Sequence, residues 1–246
     1  MRVAVLADVH GNLIALDAVL ADIAAAAPDL VVNLGDLVSG PYDPAGAADV
    51  QMALAAATLA GNHERQVLAG GQGASDVVAR AALTPAHLAW MAALPATLVL
   101  DGGAIFACHG SPTGGDTTYL LEDVSAGRTR LAGRDAIRGR LKGIGDAGLV
   151  LCGHTHVARA VMVDGVLVVN PGSVGMPGYA DDEPAPHVME AGSPDARYAL
   201  LERRGGRWRV ELRTVPYDHE AAARQAERHG RADIAHVTRT GWMPAG

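Results

Sequence analysis

Apolar and polar positions follow two different rhythms along this chain. In the first part, short unbroken apolar runs alternate with segments whose apolar residues recur at helical spacing. The runs at 3–7, 30–34, 57–60, 104–108 and 149–152 read as strands, and 30–34 is the kind buried on both faces of a parallel sheet. After the first run, Asn12 can cap a helix that carries Leu13, Leu16, Val19, Leu20 and Ile23 as far as Pro28. Asp43-Pro44 and Thr84-Pro85 open two more helices, the latter carrying Leu88 and Met91.

The rhythm then changes to hairpins. Residues 98–100 and 104–108 flank Asp101-Gly102-Gly103, residues 161–163 and 166–169 flank Asp164-Gly165, and residues 199–201 and 208–212 flank Arg203 to Gly206. Strand-and-helix units followed by hairpins predict an α/β fold. Two stacked mixed β-sheets would be flanked by helices, as a four-layer αββα sandwich. We read 1–246 as a single domain. It carries a Pro-, Gly- and acid-rich loop at 176–194 and a C-terminal helical segment at 217–240, with 219–229 rich in Ala, Arg and Glu.

Composition narrows the class. Hydrophobic residues make up 49% but aromatics only 4%, so the core must be built from Ala, Val and Leu. A formal net charge of −7 argues against a nucleic-acid groove, which needs a basic surface. Cys108 and Cys152 fall inside apolar strands and read as small core residues, not as a disulfide. The stretch 81–100 lacks formal charge, but Thr84, Pro85, His87 and Pro95 break it, so a helix followed by a strand is expected. With Asp8 interrupting the first apolar run, no signal peptide is read either, and a cytoplasmic protein without membrane attachment is expected.

The chemistry lies in five blocks: Asp8-Val9-His10, Gly35-Asp36, Gly61-Asn62-His63-Glu64, His109-Gly110 and Gly153-His154-Thr155-His156. Nearly every block follows a predicted strand, and groups at the ends of neighbouring strands converge. Asp8 and His10 are two apart, so an extended backbone would point both the same way. Asp36, after a glycine, has a carboxylate free to bridge two ions about 3.5–4 Å apart. Two Asp, one Asn and four His make an oxygen and nitrogen donor set suited to two divalent or trivalent cations (Mn, Fe, Zn, Co or Ni). Each block alone reads as a cap, a turn or a surface group; all five in order do not.

The blocks resemble the calcineurin-like metallophosphoesterase superfamily, whose pattern is D-x-H, G-D, G-N-H-[DE], a lone His and G-H-x-H. They span Asp8 to His156, about two thirds of the chain. The resemblance implies one ion held by Asp8, His10, Asp36 and His156, and another by Asp36, Asn62, His109 and His154. It implies phosphodiester or phosphomonoester hydrolysis by attack of a metal-bridging hydroxide, with Asp36 in the catalytic centre. His63 would lie beside the substrate, where it could stabilise phosphoryl oxygens or protonate the leaving group.

Asn170-Pro171-Gly172-Ser173-Val174-Gly175 looks like the N-P-G-S segment of the small bacterial and archaeal phosphodiesterase branch, which also contains the retromer subunit Vps29. On that basis Asn170 and Ser173 are expected in a turn that lines the pocket, with Asn62 and His63 beside the substrate. Arg65 and Arg159 are the candidates for gripping phosphate. The alternative branch holds protein Ser/Thr phosphatases and dinucleotide polyphosphate hydrolases. There the second block reads G-D-x-V-D-R-G, and here Ser39 stands where its histidine-orienting Asp would be. What fixes the ring of His63 is therefore open. A Vps29-like binding scaffold is a third reading, disfavoured because every expected ligand and His63 are present. The expected partner is a small phosphorylated substrate. The 176–194 loop is free to lid the pocket, to contribute His187, or to form a homo-oligomer contact, with a surface loop as the simplest reading.

Overall fold

The computed structural model of the chain describes residues 1–127 and 129–244. Three parallel strands, β1 (Arg2–Leu6), β2 (Leu30–Asn33) and β3 (Ala57–Thr58), are joined by crossover helices α1 (Leu13–Ala26) and α2 (Pro44–Ala53). The side chains of Asn12, Asp43 and Thr84 accept from the backbone amides of Ala15, Gly46 and His87, so the predicted caps form. Helices α3 (Asn62–Leu68), α4 (Ala74–Ala82) and α5 (Pro85–Ala92) follow, and then the hairpin of β4 (Thr97–Leu100) and β5 (Ile105–Cys108). A small ladder of β6 (Glu122–Asp123) and β7 (Arg130–Leu131) precedes α6 (Arg134–Arg140).

The remaining strands are β8 (Leu149–Leu151), β9 (Arg159–Val163), β10 (Val166–Asn170), β11 (Gly178–Asp181), β12 (His187–Glu190), β13 (Ala196–Arg204) and β14 (Arg207–Val215). Helices α7 (His219–Arg228) and α8 (Ala232–Thr240) end the described chain. One five-stranded sheet has the order β14-β13-β1-β2-β3 and the other β4-β5-β8-β10-β9, and both mix parallel and antiparallel pairs.

Alternation along β1 sets the layers. Val3 and Val5 face the second sheet, where they meet Ile105, Leu149, Leu151 and Val169; Ala4 and Leu6 face α1 and pack on Leu16 and Val19. The outer face of the second sheet is covered by α6 through Ile137 and Leu141. Each fully buried Val or Leu contributes roughly 1.5–3 kcal/mol. The layer between the sheets thereby holds the C-terminal ends of β1, β2, β5 and β8 in fixed register. Among the described residues no helix is long and apolar enough to cross a membrane; the uncharged stretch 81–100 divides into the end of α4, all of α5, and β4. Cys108 and Cys152 are buried and unbonded.

The loop expected at 176–194 is instead organised by the β11–β12 hairpin, paired from Gly178 with Glu190 to Asp181 with His187. Its period-two burial explains it: His187 and Met189 are buried while Val188 and Glu190 are exposed. Met189 packs on Tyr119 and Val124. The C-terminal segment forms two helices, α7 and α8, which pack on Tyr42 and Met176 beside the strand ends.

Candidate metal centre

All five sequence blocks sit at the same edge of the two sheets. Asp8 and His10 follow β1, Asp36 follows β2, Asn62 follows β3, His109 follows β5, and His154 and His156 follow β8. The loops interlock through Asp8 N–H to Gly35 O (3.0 Å), His10 N–H to Asp36 O (2.9 Å) and Gly153 N–H to His109 O (2.7 Å).

Local geometry departs from the expected extended backbone. Asp8 (φ 57°), His10 (φ 50°), Asp36 (φ 54°), His154 (φ 69°) and His156 (φ 59°) all occupy the left-handed region. Asp8 and His10 reach a common point through successive tight turns, not through strand alternation. Side chains other than glycine rarely take this conformation, and it concentrates at sites where the surroundings impose it. Two glycines allow the turns to touch: a Cβ on Gly35 would lie 2.4 Å from Gly61 N, and one on Gly61 would lie 2.2 Å from Asp36 Oδ1. Glu64 closes the junction, its buried carboxylate accepting from the amides of Asp36, Leu37 and Gly61, each at 2.8 Å.

Hydrogen bonds to backbone carbonyls decide which ring nitrogens face inward. A carbonyl only accepts, so the nitrogen beside it carries the hydrogen. Nδ1 of His10, His109 and His156 donates to the carbonyls of Ser39, Leu34 and Met176, each at 2.7 Å. His154 does the reverse, donating from Nε2 to Thr117 O at 3.2 Å. In a neutral ring the inward nitrogen then presents a lone pair. His10 Nε2 lies 3.0 Å from His156 Nε2, and His109 Nε2 lies 3.1 Å from Asn62 Oδ1 and 3.2 Å from Asp36 Oδ2. Two such nitrogens or oxygens facing one another favour a proton or a cation between them, and outward hydrogen bonds of this kind are what orient imidazole ligands.

Ligand atoms within 4.8 Å of one another group as Asp8, His10 and His156; as Asp36, His109 and His154; and as His10, Asp36 and His63. The donor set therefore fits divalent cations. Burial pushes His10 down to about 4 and His154 down to about 3 and lowers His156, so these imidazoles are neutral and able to ligate. Burial also opposes charge on His109, but Asp36 and Asp8 outweigh it and lift that ring to about 10. The carboxylates thus favour positive charge at this point.

His63 sits at the edge of the cluster, its ring 5.4 Å from that of His10. Its Nδ1 is 2.8 Å from Asp76 Oδ1 on α4, and Ser39 Oγ donates to the same oxygen at 2.6 Å. Burial disfavours charge on His63, yet Asp36 and Asp76 together raise it to about 9. Asp76 thus orients His63, which the sequence left without a partner. In sequence it reads only as an acid in the first turn of a helix. Tyr119 and Tyr179 carry no motif signal in the sequence, yet their rings lie 5.1 Å from His154 and 4.8 Å from His156, and Tyr179 donates to His154 O at 3.2 Å. His187 reaches Tyr119 Oη, not the ligands, at 2.9 Å.

Several expected substrate contacts lie elsewhere. Asn170 is buried behind the ligand loop, its Nδ2 donating to Gly153 O and Thr155 Oγ1. Ser173 is buried too, donating to Asp8 O and accepting from Met176 N–H. The segment is the expected turn, but these two side chains brace the ligand loops from behind instead of lining the pocket. Arg65 is exposed and paired in two hydrogen bonds with Asp116, and Arg159 is paired with Glu122. Asn62 and His63 do line the cavity of about 260 Å3 above the cluster, together with Gln66, Ser75, Tyr179 and Arg231.

Residues 1–190 match the model of the calcineurin-like phosphoesterase superfamily domain. A metallophosphoesterase from Sphaerobacter thermophilus superposes with a TM-score of 0.74 at 24% identity, covering 98% of this chain and 99% of that one. A hypothetical protein from Pyrococcus horikoshii OT3 gives 0.75 at 17% identity, with 99% of both chains covered. No curated protein matches the sequence significantly.

Proposed function

Because the chain belongs to the calcineurin-like phosphoesterase superfamily, we propose that it is a hydrolase of phosphodiester or phosphomonoester bonds in small substrates, working with two bound metal ions. One ion would be held by Asp8, His10, Asp36 and His156, the other by Asp36, Asn62, His109 and His154. When bound, such ions supply an acidified water as nucleophile and neutralise charge on the phosphoryl group. The donor set accepts Mn, Fe, Zn, Co or Ni, with availability deciding.

The observation that carries this reading is the convergence of inward lone pairs beside an independently held histidine. His63 gives its Nδ1 hydrogen to Asp76, which leaves Nε2 as the nitrogen free for substrate. A ring raised to about 9 is protonated at neutral pH. His63 then donates from Nε2 to a phosphoryl oxygen or to the departing oxygen. The backbone amide of His63 donates to Asp36 Oδ1 at 3.0 Å, which ties the proton donor to the shared carboxylate. A scaffold without catalysis would have no need of the Ser39–Asp76–His63 chain, whose first two members are buried.

The test is hydrolysis of bis(4-nitrophenyl) phosphate and 4-nitrophenyl phosphate with added manganese. We expect turnover of at least one, abolished by chelation. Stoichiometric metal with no turnover of either ester overturns the reading.

A further inference from the structure

The cavity of about 260 Å3 above the cluster is the metal pocket itself, since His10, Asp36, Asn62, His154 and His156 all line it. That volume is below the roughly 300–1,000 Å3 of pockets for drug-sized ligands, so an occupant lies close to every wall. Arg231 is the only Arg or Lys among the described residues that line it. Of the two charged wall residues that are neither ligands nor histidines, Asp181 repels an anion and Arg231 attracts one. Arg231 also lies beyond residues 1–190, the part that matches the family model. Arg65 and Arg159, the candidates from sequence, do not line this cavity.

The fold holds Arg231 in that wall from two directions. It immediately precedes α8, whose buried Ile234 lines the same cavity and whose Thr238 accepts from Tyr42 Oη at 2.8 Å. Its Nε and Nη2 donate to the two carboxylate oxygens of Asp233 at 2.9 and 2.7 Å, and its Nη1 donates to Ser75 Oγ at 3.0 Å. Ser75 is next to Asp76, which holds His63. Consecutive residues at the start of α4 thus anchor both His63 and Arg231. A guanidinium has five N–H donors, and these three bonds leave two. The Asp233 side chain is 44% exposed against 22% for Arg231, so water screens the carboxylate more than the guanidinium.

We propose that Arg231 is the substrate-gripping cation of this site, its remaining N–H groups donating to a phosphoryl oxygen of the bound ester. The inference rests on the phosphoesterase reading above and adds a residue that none of the five sequence blocks contains. A guanidinium keeps its donors in one plane. Asp233 and Ser75 fix that plane before substrate arrives, so little side-chain freedom is lost on binding. The C-terminal helices therefore contribute to recognition as well as to packing.

The experiment measures the Kd of inorganic phosphate for the metal-loaded protein by calorimetry, alongside kcat/KM for 4-nitrophenyl phosphate and bis(4-nitrophenyl) phosphate. Arg231→Gln should weaken phosphate, and lower kcat/KM for whichever ester the wild type hydrolyses, by about ten- to a hundredfold with metal content unchanged. Arg231→Lys, which keeps the charge but loses the fork, should fall between the two. Asp233→Asn separates grip from tether. It breaks the same pair at the start of α8 but leaves the guanidinium, so phosphate should bind as tightly as in wild type or more so. The inference is overturned if Arg231→Gln changes both quantities by less than about fivefold, the scale of an exposed ion pair. It is equally overturned if Asp233→Asn weakens phosphate as much as Arg231→Gln does. Either result leaves the phosphoesterase reading intact. Wild-type protein that holds its metals, yet neither binds phosphate nor turns over either ester, removes both.

Discussion

Asp76→Asn isolates the charge that holds His63 while keeping the side chain's size. In the protein, one carboxylate oxygen accepts from both His63 Nδ1 (2.8 Å) and Ser39 Oγ (2.6 Å), and the residue is 4% exposed. The amide of Asn can still accept, but without the charge that favours the protonated ring. A hydrogen bond to a charged group is worth about 1.5–3 kcal/mol, which corresponds to roughly 10- to 150-fold in kcat. Turnover of a nitrophenyl ester at saturating metal should fall by that factor, with metal content unchanged. Ser39→Ala, which removes only the brace on Asp76, should cost less than about tenfold. The double variant decides where Asp76 acts. If it acts through His63, then Asp76→Asn costs nothing further once His63 is Ala, because residues acting as a unit are not additive. An equal loss in the His63→Ala background would refute the positioning role, as would metal loss in the single variant.

Gly61→Ala places a methyl group 2.2 Å from Asp36 Oδ1; metal affinity measured by titration should weaken at least about tenfold, and full affinity would contradict the interlocked-loop geometry. Arg65→Ala breaks only an exposed ion pair with Asp116, so kcat/KM should change by less than about fivefold; a hundredfold loss would restore Arg65 as a phosphate contact. Burial pushes the Glu122 carboxyl up from 4.5 to about 7 against the pull of Arg159. Its contribution to stability is thus full below pH 4.5 and is lost as pH rises through 7. Glu122→Gln removes this titration. The stability of the variant relative to wild type, read by denaturant melts, should rise by up to about 3 kcal/mol between those limits, and a difference that stays flat with pH would contradict the burial.

The ligand blocks were legible because each follows an apolar strand in one direction of winding, and parallel strands present their C-terminal ends at a single edge. Helix starts at Asn12, Asp43 and Thr84 were legible because capping is local chemistry. Asp76 was not. It lies on α4, and only the packing of α3 against α4 brings it to His63. Ser39 correctly marked a missing carboxylate at its own position, but sequence could not show that a neighbouring helix supplies one. Asn170 and Ser173 were placed in the right turn and on the wrong side of it, since a turn motif does not tell which groups its side chains meet. The β11–β12 hairpin was hidden by its Pro, Gly and acidic residues, although alternating burial at His187 to Glu190 holds it in place.

The central claim is that the inward lone pairs hold two cations. Anomalous diffraction from crystals of the metal-loaded protein, combined with elemental analysis, tests it most directly. The account predicts two ions per chain, both touching Asp36, one also bound by Asp8, His10 and His156 and the other by Asn62, His109 and His154. A single ion, or ions bound away from Asp36, would contradict it.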